Sequence, residues 1–149
     1  MKTLVVYDSV YGNTEVIARA IASALPGEVQ VAHIDQVSAD DCEAVDLLLI
    51  GSPTQGALPT EAARALIERI GPPARAAARA ATFDTRLTWP FLERWGGFAA
   101  EKMAAAIEEK GWTMAGTPGG FFVKGLKKGP LRRGEADRAA AWARVLMVR

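Results

Sequence analysis

The chain has 149 residues, half of them hydrophobic and 23% charged, with 18 basic against 17 acidic side chains. That length and composition suit one domain, residues 1–149, with a core that needs no covalent staple, and exclude a disordered tail. No stretch approaches the roughly 18 uninterrupted apolar residues of a membrane-spanning helix, the apolar run before Asp8 is too short for a signal peptide, and a single cysteine, Cys42, leaves no internal disulfide or multi-cysteine metal site.

Residues 2–7, rich in β-branched and apolar side chains, read as a strand buried on both faces. From Thr14 the period lengthens, and Val16, Ile17, Ala20, Ile21 and Ala24 fall at helical spacing until Pro26-Gly27. Residues 28–34 alternate, with Val29 and Val31 on one side, and residues 45–51 form a second apolar run. Residues 60–70 are helical, with Ala63, Leu66, Ile67 and Ile70 on one face and Gly71-Pro72-Pro73 as the stop. A strand is expected over 77–84, although alanine and arginine are poor strand formers. A helix over 98–110, short strands at 112–115 and 121–124, and a last helix over 135–147 complete the pattern.

Strands thus alternate with helices from end to end, and each strand–helix–strand unit has the length of a right-handed parallel crossover. The expectation is an α/β fold, a doubly wound five-stranded parallel sheet with helices on both faces. Ligands of such sheets bind outside the carboxyl ends of the strands, which directs attention to the loops at 8–14, 51–60 and 84–97.

The first of these reads Asp8-Ser9-Val10-Tyr11-Gly12-Asn13-Thr14 and runs straight into a helix. A helix start offers unpaired N–H groups and the positive end of its dipole. Gly12 permits a positive φ, and Ser9, Asn13 and Thr14 add neutral donors. Without a lysine or arginine it is not a P-loop, and with one glycine it is not a dinucleotide fingerprint. Two readings remain open on these residues: a phosphate site, or an ordinary strand–helix turn capped by Asn13 or Thr14.

The run Tyr7-Asp8-Ser9-Val10-Tyr11-Gly12-Asn13-Thr14 resembles the hydroxyl-rich phosphate loop of flavodoxins, with Tyr11 where many members have threonine or serine. The resemblance covers essentially the whole chain, including a short fifth strand split at 116–120 and a final helix carrying Trp142. It implies the flavodoxin-like order of strands and FMN as cofactor, with Ser9, Val10, Tyr11, Gly12, Asn13 and Thr14 around the phosphate. Gly51-Ser52-Pro53-Thr54-Gln55-Gly56 resembles the family's second flavin loop, so that Pro53, Thr54, Gln55 and Gly56 are expected at the ribityl chain and ring; Gln55 stands where many flavodoxins have a stacking tryptophan. In the third loop the resemblance places Asp84, Thr85 and Arg86 at the pyrimidine edge and Trp89 on the outer ring face, with Trp95 as second choice.

The function so implied is electron transfer, with single electrons shuttled between redox partners and the hard chemistry done by the flavin. Two alternatives share the fold: an FMN-dependent oxidoreductase of the NAD(P)H:quinone or protoporphyrinogen type, and an interaction module without flavin. No catalytic residue and no metal site is expected. Flavodoxins are generally acidic, whereas this chain is near neutral. The stretch 110–134 holds Lys124, Lys127, Lys128, Arg132 and Arg133 and no acidic residue, and is the expected docking surface for a redox partner. The small net charge argues against nucleic acid, and a cytoplasmic location is expected. With a cation some 8 Å from an anionic ring worth roughly 2 kcal/mol at an effective dielectric near 20, Arg86 is expected to make the fully reduced couple less negative than in acidic flavodoxins. His33 is expected far from all three loops, and Cys42 is expected to be inert.

Overall fold

The computed structural model describes residues 1–87, 97–124 and 129–148. The apolar run at the start of the chain is paired on both sides, as a strand without a polar face requires. β1 (Lys2–Tyr7) lies between β2 (Glu28–His33) and β3 (Leu47–Pro53), and β4 (Arg79–Leu87) flanks β3 on its far side. β5 (Thr113–Met114) pairs with Arg79 and Ala80 at the start of β4, and β6 (Gly119–Val123) pairs with residues 83–87 at its end. These two are halves of one interrupted fifth strand, and every pairing in the sheet is parallel. The expected doubly wound five-stranded sheet is therefore present, with its fifth strand in two pieces.

Alternate residues of these strands feed two cores. α1 (Asn13–Ala24) and α5 (Glu135–Leu146) cover the face of Val5, Tyr7, Leu49, Phe83 and Phe121. α3 (Glu61–Arg69) and α4 (Ala99–Glu109) cover the face of Leu4, Val6, Leu48, Ile50 and Ala80. α2 (Ala39–Glu43) is a short helix capped by Ser38, whose Oγ accepts the Asp41 N–H. Five residues are too few to display a helical period, which is why the sequence does not reveal it. α5 is tied to β6 through Glu135, which accepts the Phe122 N–H at 2.7 Å and pairs with Arg138. The Arg138 guanidinium holds that carboxyl below the usual carboxylate range.

β4 departs from expectation. It runs to Leu87 rather than ending at Asp84, and so draws Thr85, Arg86 and Leu87 out of the third loop into the sheet. Pairing with β3 on one side and β6 on the other overrides the weak strand propensity of the segment. Register then levels the carboxyl ends of the strands: Tyr7 lies opposite both His33 and Gly51, Gly51 opposite Phe83, and Phe83 opposite Gly119.

One glycine is demanded by packing. A Cβ at Gly51 would lie 2.1 Å from atoms of the Phe83 ring, which is fully buried. Gly51→Ala is expected to cost about 1–3 kcal/mol through overpacking. The measurement is a urea titration, in which the midpoint falls while the slope is unchanged.

Candidate functional site

The link from β1 to α1 is an open helix end. Gly12, at φ +92°, precedes Asn13, and no side chain caps the helix. The Asn13 amide instead donates to Gly129 O at 2.6 Å, and Thr14 Oγ1 shares a 2.9 Å hydrogen bond with Thr85 Oγ1. An ordinary turn capped by Asn13 or Thr14 is thus not what forms. The Gly12 N–H is taken by Ser9 Oγ, and the Ser9 N–H by Asp8 Oδ1. The N–H groups of Val10, Tyr11, Asn13, Thr14 and Glu15 meet no acceptor among the described residues. Unspent donors at the positive end of a helix dipole are an anion site in waiting.

The β3–α3 loop is held by hydrogen bonds of its own. Ser52 is fully buried, and its Oγ accepts the Thr60 N–H at 2.9 Å. Gln55 and Leu58 exchange two backbone hydrogen bonds, of 2.8 and 2.9 Å, around Gly56 at φ +54° and Ala57 at φ +66°. Positive φ at both central residues defines a type I′ turn, the two-residue hairpin whose twist matches its strands.

α4 borrows its caps. Its own preceding residue, Phe98, makes no side-chain cap. The first N–H groups go instead to the β3–α3 loop and to β4: Ala99 N–H to Thr54 Oγ1 at 2.9 Å, and Ala100 N–H to Asp84 Oδ2 at 2.8 Å. A carboxylate at a helix start is favoured by the dipole. Asp84 is wholly buried and is gripped from the other side by Arg86, through Nε–Oδ1 at 2.7 Å and Nη2–Oδ2 at 2.8 Å. Burial pushes the Asp84 carboxyl up, while Arg86 and the Ala100 N–H pull it back. Arg86 also lies over the Phe98 ring at 3.9 Å and bonds Glu101 at 3.2 Å.

These loops enclose a cleft of about 380 Å³, within the size range of small-molecule sites. One wall is Val10, Tyr11, Asn13 and Thr14, the facing wall is Pro53, Thr54, Gln55 and Gly56, and Thr85 and Arg86 form the floor between them. Ser9, Gly12 and Asp84 do not line it: Ser9 and Gly12 shape the loop, and Asp84 faces α4. Asp84, which the resemblance places at the pyrimidine edge, turns its carboxylate to the start of α4, because β4 continues past it. Trp89 and Trp95 lie outside the described residues.

Three cleft residues escape the sequence reading: Leu87, at the end of the lengthened β4, Val123, at the end of β6, and Gly129. Gly129 lies outside the three loops that the sequence singles out, and it is followed by Pro130. His33 is also misplaced by sequence. The register opposite Tyr7 brings its Nε2 to 3.5 Å from Asp8 Oδ1, at the root of the first loop. Cys42 is buried, and burial pushes its thiol up to about 12.

An anion-taking end bordered by Val10, Tyr11, Pro53, Leu87 and Val123 fits FMN, a flat, largely apolar ring system with a terminal phosphate. A family model described as a flavodoxin domain matches residues 4–85, more than half of the chain, and the chain belongs to the flavodoxin family. It is thus an FMN-binding electron-transfer protein. Oxidised flavodoxin 1 from Bacillus cereus superposes with a TM-score of 0.79 at 18% identity, covering 98% of this chain and 97% of that one. A short-chain flavodoxin associated with a non-canonical PDU bacterial microcompartment gives 0.79 at 14% identity, with 98% and 96% covered. Rubredoxin oxygen:oxidoreductase from the anaerobe Desulfovibrio gigas gives 0.75 at 16% identity, covering 97% of this chain but 35% of that one. At these identities the likeness is one of fold. No curated protein matches the chain in sequence.

Proposed function

We propose that this chain holds FMN in this cleft and passes its electrons to partner proteins that dock beside Lys124, Arg132 and Arg133. The observation that carries this reading is the uncapped start of α1, whose unspent N–H groups at Val10, Tyr11, Asn13, Thr14 and Glu15 would take the phosphate. The Thr54 hydroxyl keeps a proton to donate after accepting from Ala99. Pro53, Gln55 and Gly56 supply the backbone wall beside the ring, with Arg86 at its floor. Bound FMN supplies the redox chemistry, and the protein's part is to fix its position and the charge around it.

The docking surface follows from position. Lys124, just past β6, and Arg132 and Arg133, just before α5, are exposed. Lys124 N–H donates to Pro130 O, and Arg132 N–H to Phe122 O. Cations at the rim of the cleft suit an acidic partner and speed its encounter. Lys127 and Lys128 lie outside the described residues. No helix among the described residues is long and apolar enough to cross a membrane; a cytoplasmic setting is part of the proposal, supported by the one cysteine, buried and unpaired.

Titration of flavin-stripped protein with FMN, followed by quenching of flavin and tryptophan fluorescence, tests the reading. One-to-one binding is expected. No binding at tens of micromolar would remove the cofactor role from this cleft.

A further inference from the structure

Arg86 does not stand alone at the cleft. Its side chain is 11% exposed, and two carboxylates share it: Asp84, with no exposed side-chain surface, and Glu101, whose side chain is 51% exposed. Among the described residues the side chains paired around Arg86 sum to one cation and two acids, so its positive charge is offset there. The two acids differ in kind. Asp84 is locked between Arg86 and the Ala100 N–H, whereas Glu101 reaches Arg86 from solvent by two contacts of 3.2 Å.

Arg86 is also seated by shape. The Phe98 ring lies 3.9 Å from its Cζ on one side. On another, the strand pairing that sets Asp84 opposite Gly120 leaves room for the guanidinium only because Gly120 has no side chain. A Cβ there would lie 2.3 Å from Arg86 Cζ. The clash is with the far end of a flexible side chain, so a larger residue would evict the guanidinium without breaking the sheet.

We propose that Glu101 and Gly120 are positioning residues that set the reduction potential of the bound flavin, Glu101 by offsetting the charge of Arg86 and Gly120 by keeping that charge at the cleft floor. This rests on FMN occupying the cleft. A carboxylate beside Arg86 weakens the pull of the site on the anionic, fully reduced cofactor, and the guanidinium strengthens it. Substitutions at the two positions should therefore act in opposite directions, although neither alters a residue that lines the cleft.

The test is the two-electron midpoint potential of FMN bound to the parent, to Glu101→Gln and to Gly120→Ala, together with the affinity of each for oxidised FMN. Glu101→Gln is expected to tighten binding of reduced relative to oxidised FMN about threefold, a positive shift of about 14 mV at about 30 mV per tenfold for a two-electron couple. Gly120→Ala is expected to shift the same ratio about tenfold the other way, a negative shift of about 30 mV. Equal potentials in parent and Glu101→Gln, with FMN still bound, would overturn the proposal whatever the melting temperatures. Because Glu101 is half exposed, that variant keeps the test decisive even if Gly120→Ala folds poorly. A parent that binds no FMN would overturn the reading of the cleft itself, a different result from binding with an unmoved potential.

Discussion

Asp84→Ala is expected to remove about 3–5 kcal/mol of folding stability, the usual loss when one member of a buried ion pair is deleted. Against a total of about 5–15 kcal/mol for a natural domain, that is the largest single-residue effect anticipated in this chain. The deletion leaves the mostly buried Arg86 guanidinium with the half-exposed Glu101 as its remaining counter-charge and the Ala100 N–H without its acceptor, so that α4 loses a borrowed cap. Replacing both partners separates these contributions. In Asp84→Ala with Arg86→Met the guanidinium charge is gone and about 2 kcal/mol should return, because apolar substitutes for a buried pair are close to neutral. What stays lost, about 1–3 kcal/mol, belongs to the unsatisfied N–H and to packing. Urea unfolding of the two single variants and the double variant measures all three. A double variant no more stable than Asp84→Ala would mean that charge is not what the pair contributes.

Riboflavin is expected to bind about 10²–10⁴-fold more weakly than FMN. Two hydrogen bonds from backbone N–H groups to a phosphate, each worth about 1.5–3 kcal/mol, come to about 3–6 kcal/mol, or two to four decades of affinity. The prediction is strict because the loop from Asp8 to Thr14 holds no lysine or arginine that could supply the affinity otherwise. Asn13→Asp sharpens it. A carboxylate in the first turn suits the dipole of α1, yet it repels a phosphate dianion nearby. The substitution also gives up the amide's hydrogen bond to Gly129 O, a loss common to both ligands and to the melting temperature; beyond it, FMN affinity should fall about tenfold further than riboflavin affinity. Equal loss of both ligands would show that the loop, rather than its charge, had been disturbed.

The fold was legible wherever a strand is buried on both faces or a helix is long enough to show its period. β1 and β3 are continuous apolar runs, and α1, α3, α4 and α5 each span at least two turns. The site was legible where it is local: the residues that line the first two walls are contiguous in the chain, and the alternation of elements brings them to one edge of the sheet. What could not be read depends on pairing between distant strands. The end of β4 is fixed by β3 and β6 rather than by its own residues, so Thr85 and Arg86 read as loop and are strand. Gly129 enters the cleft through the Asn13 amide, a contact that spans 116 positions. His33 meets Asp8 only because β1 and β2 run in parallel register. Each of these depends on which strand lies beside which, something local periodicity does not encode.

Cys42 gives this chain a practical chemistry. A thiol buried in the core and held near pKa 12 is almost wholly protonated at neutral pH, and thiol reagents attack the thiolate. Since the chain has one cysteine, a second introduced on the surface would be the sole group that a maleimide or a mixed-disulfide probe modifies quickly. Placed beside Lys124, it would give a single attachment point from which a docked partner could be cross-linked and its contact surface mapped.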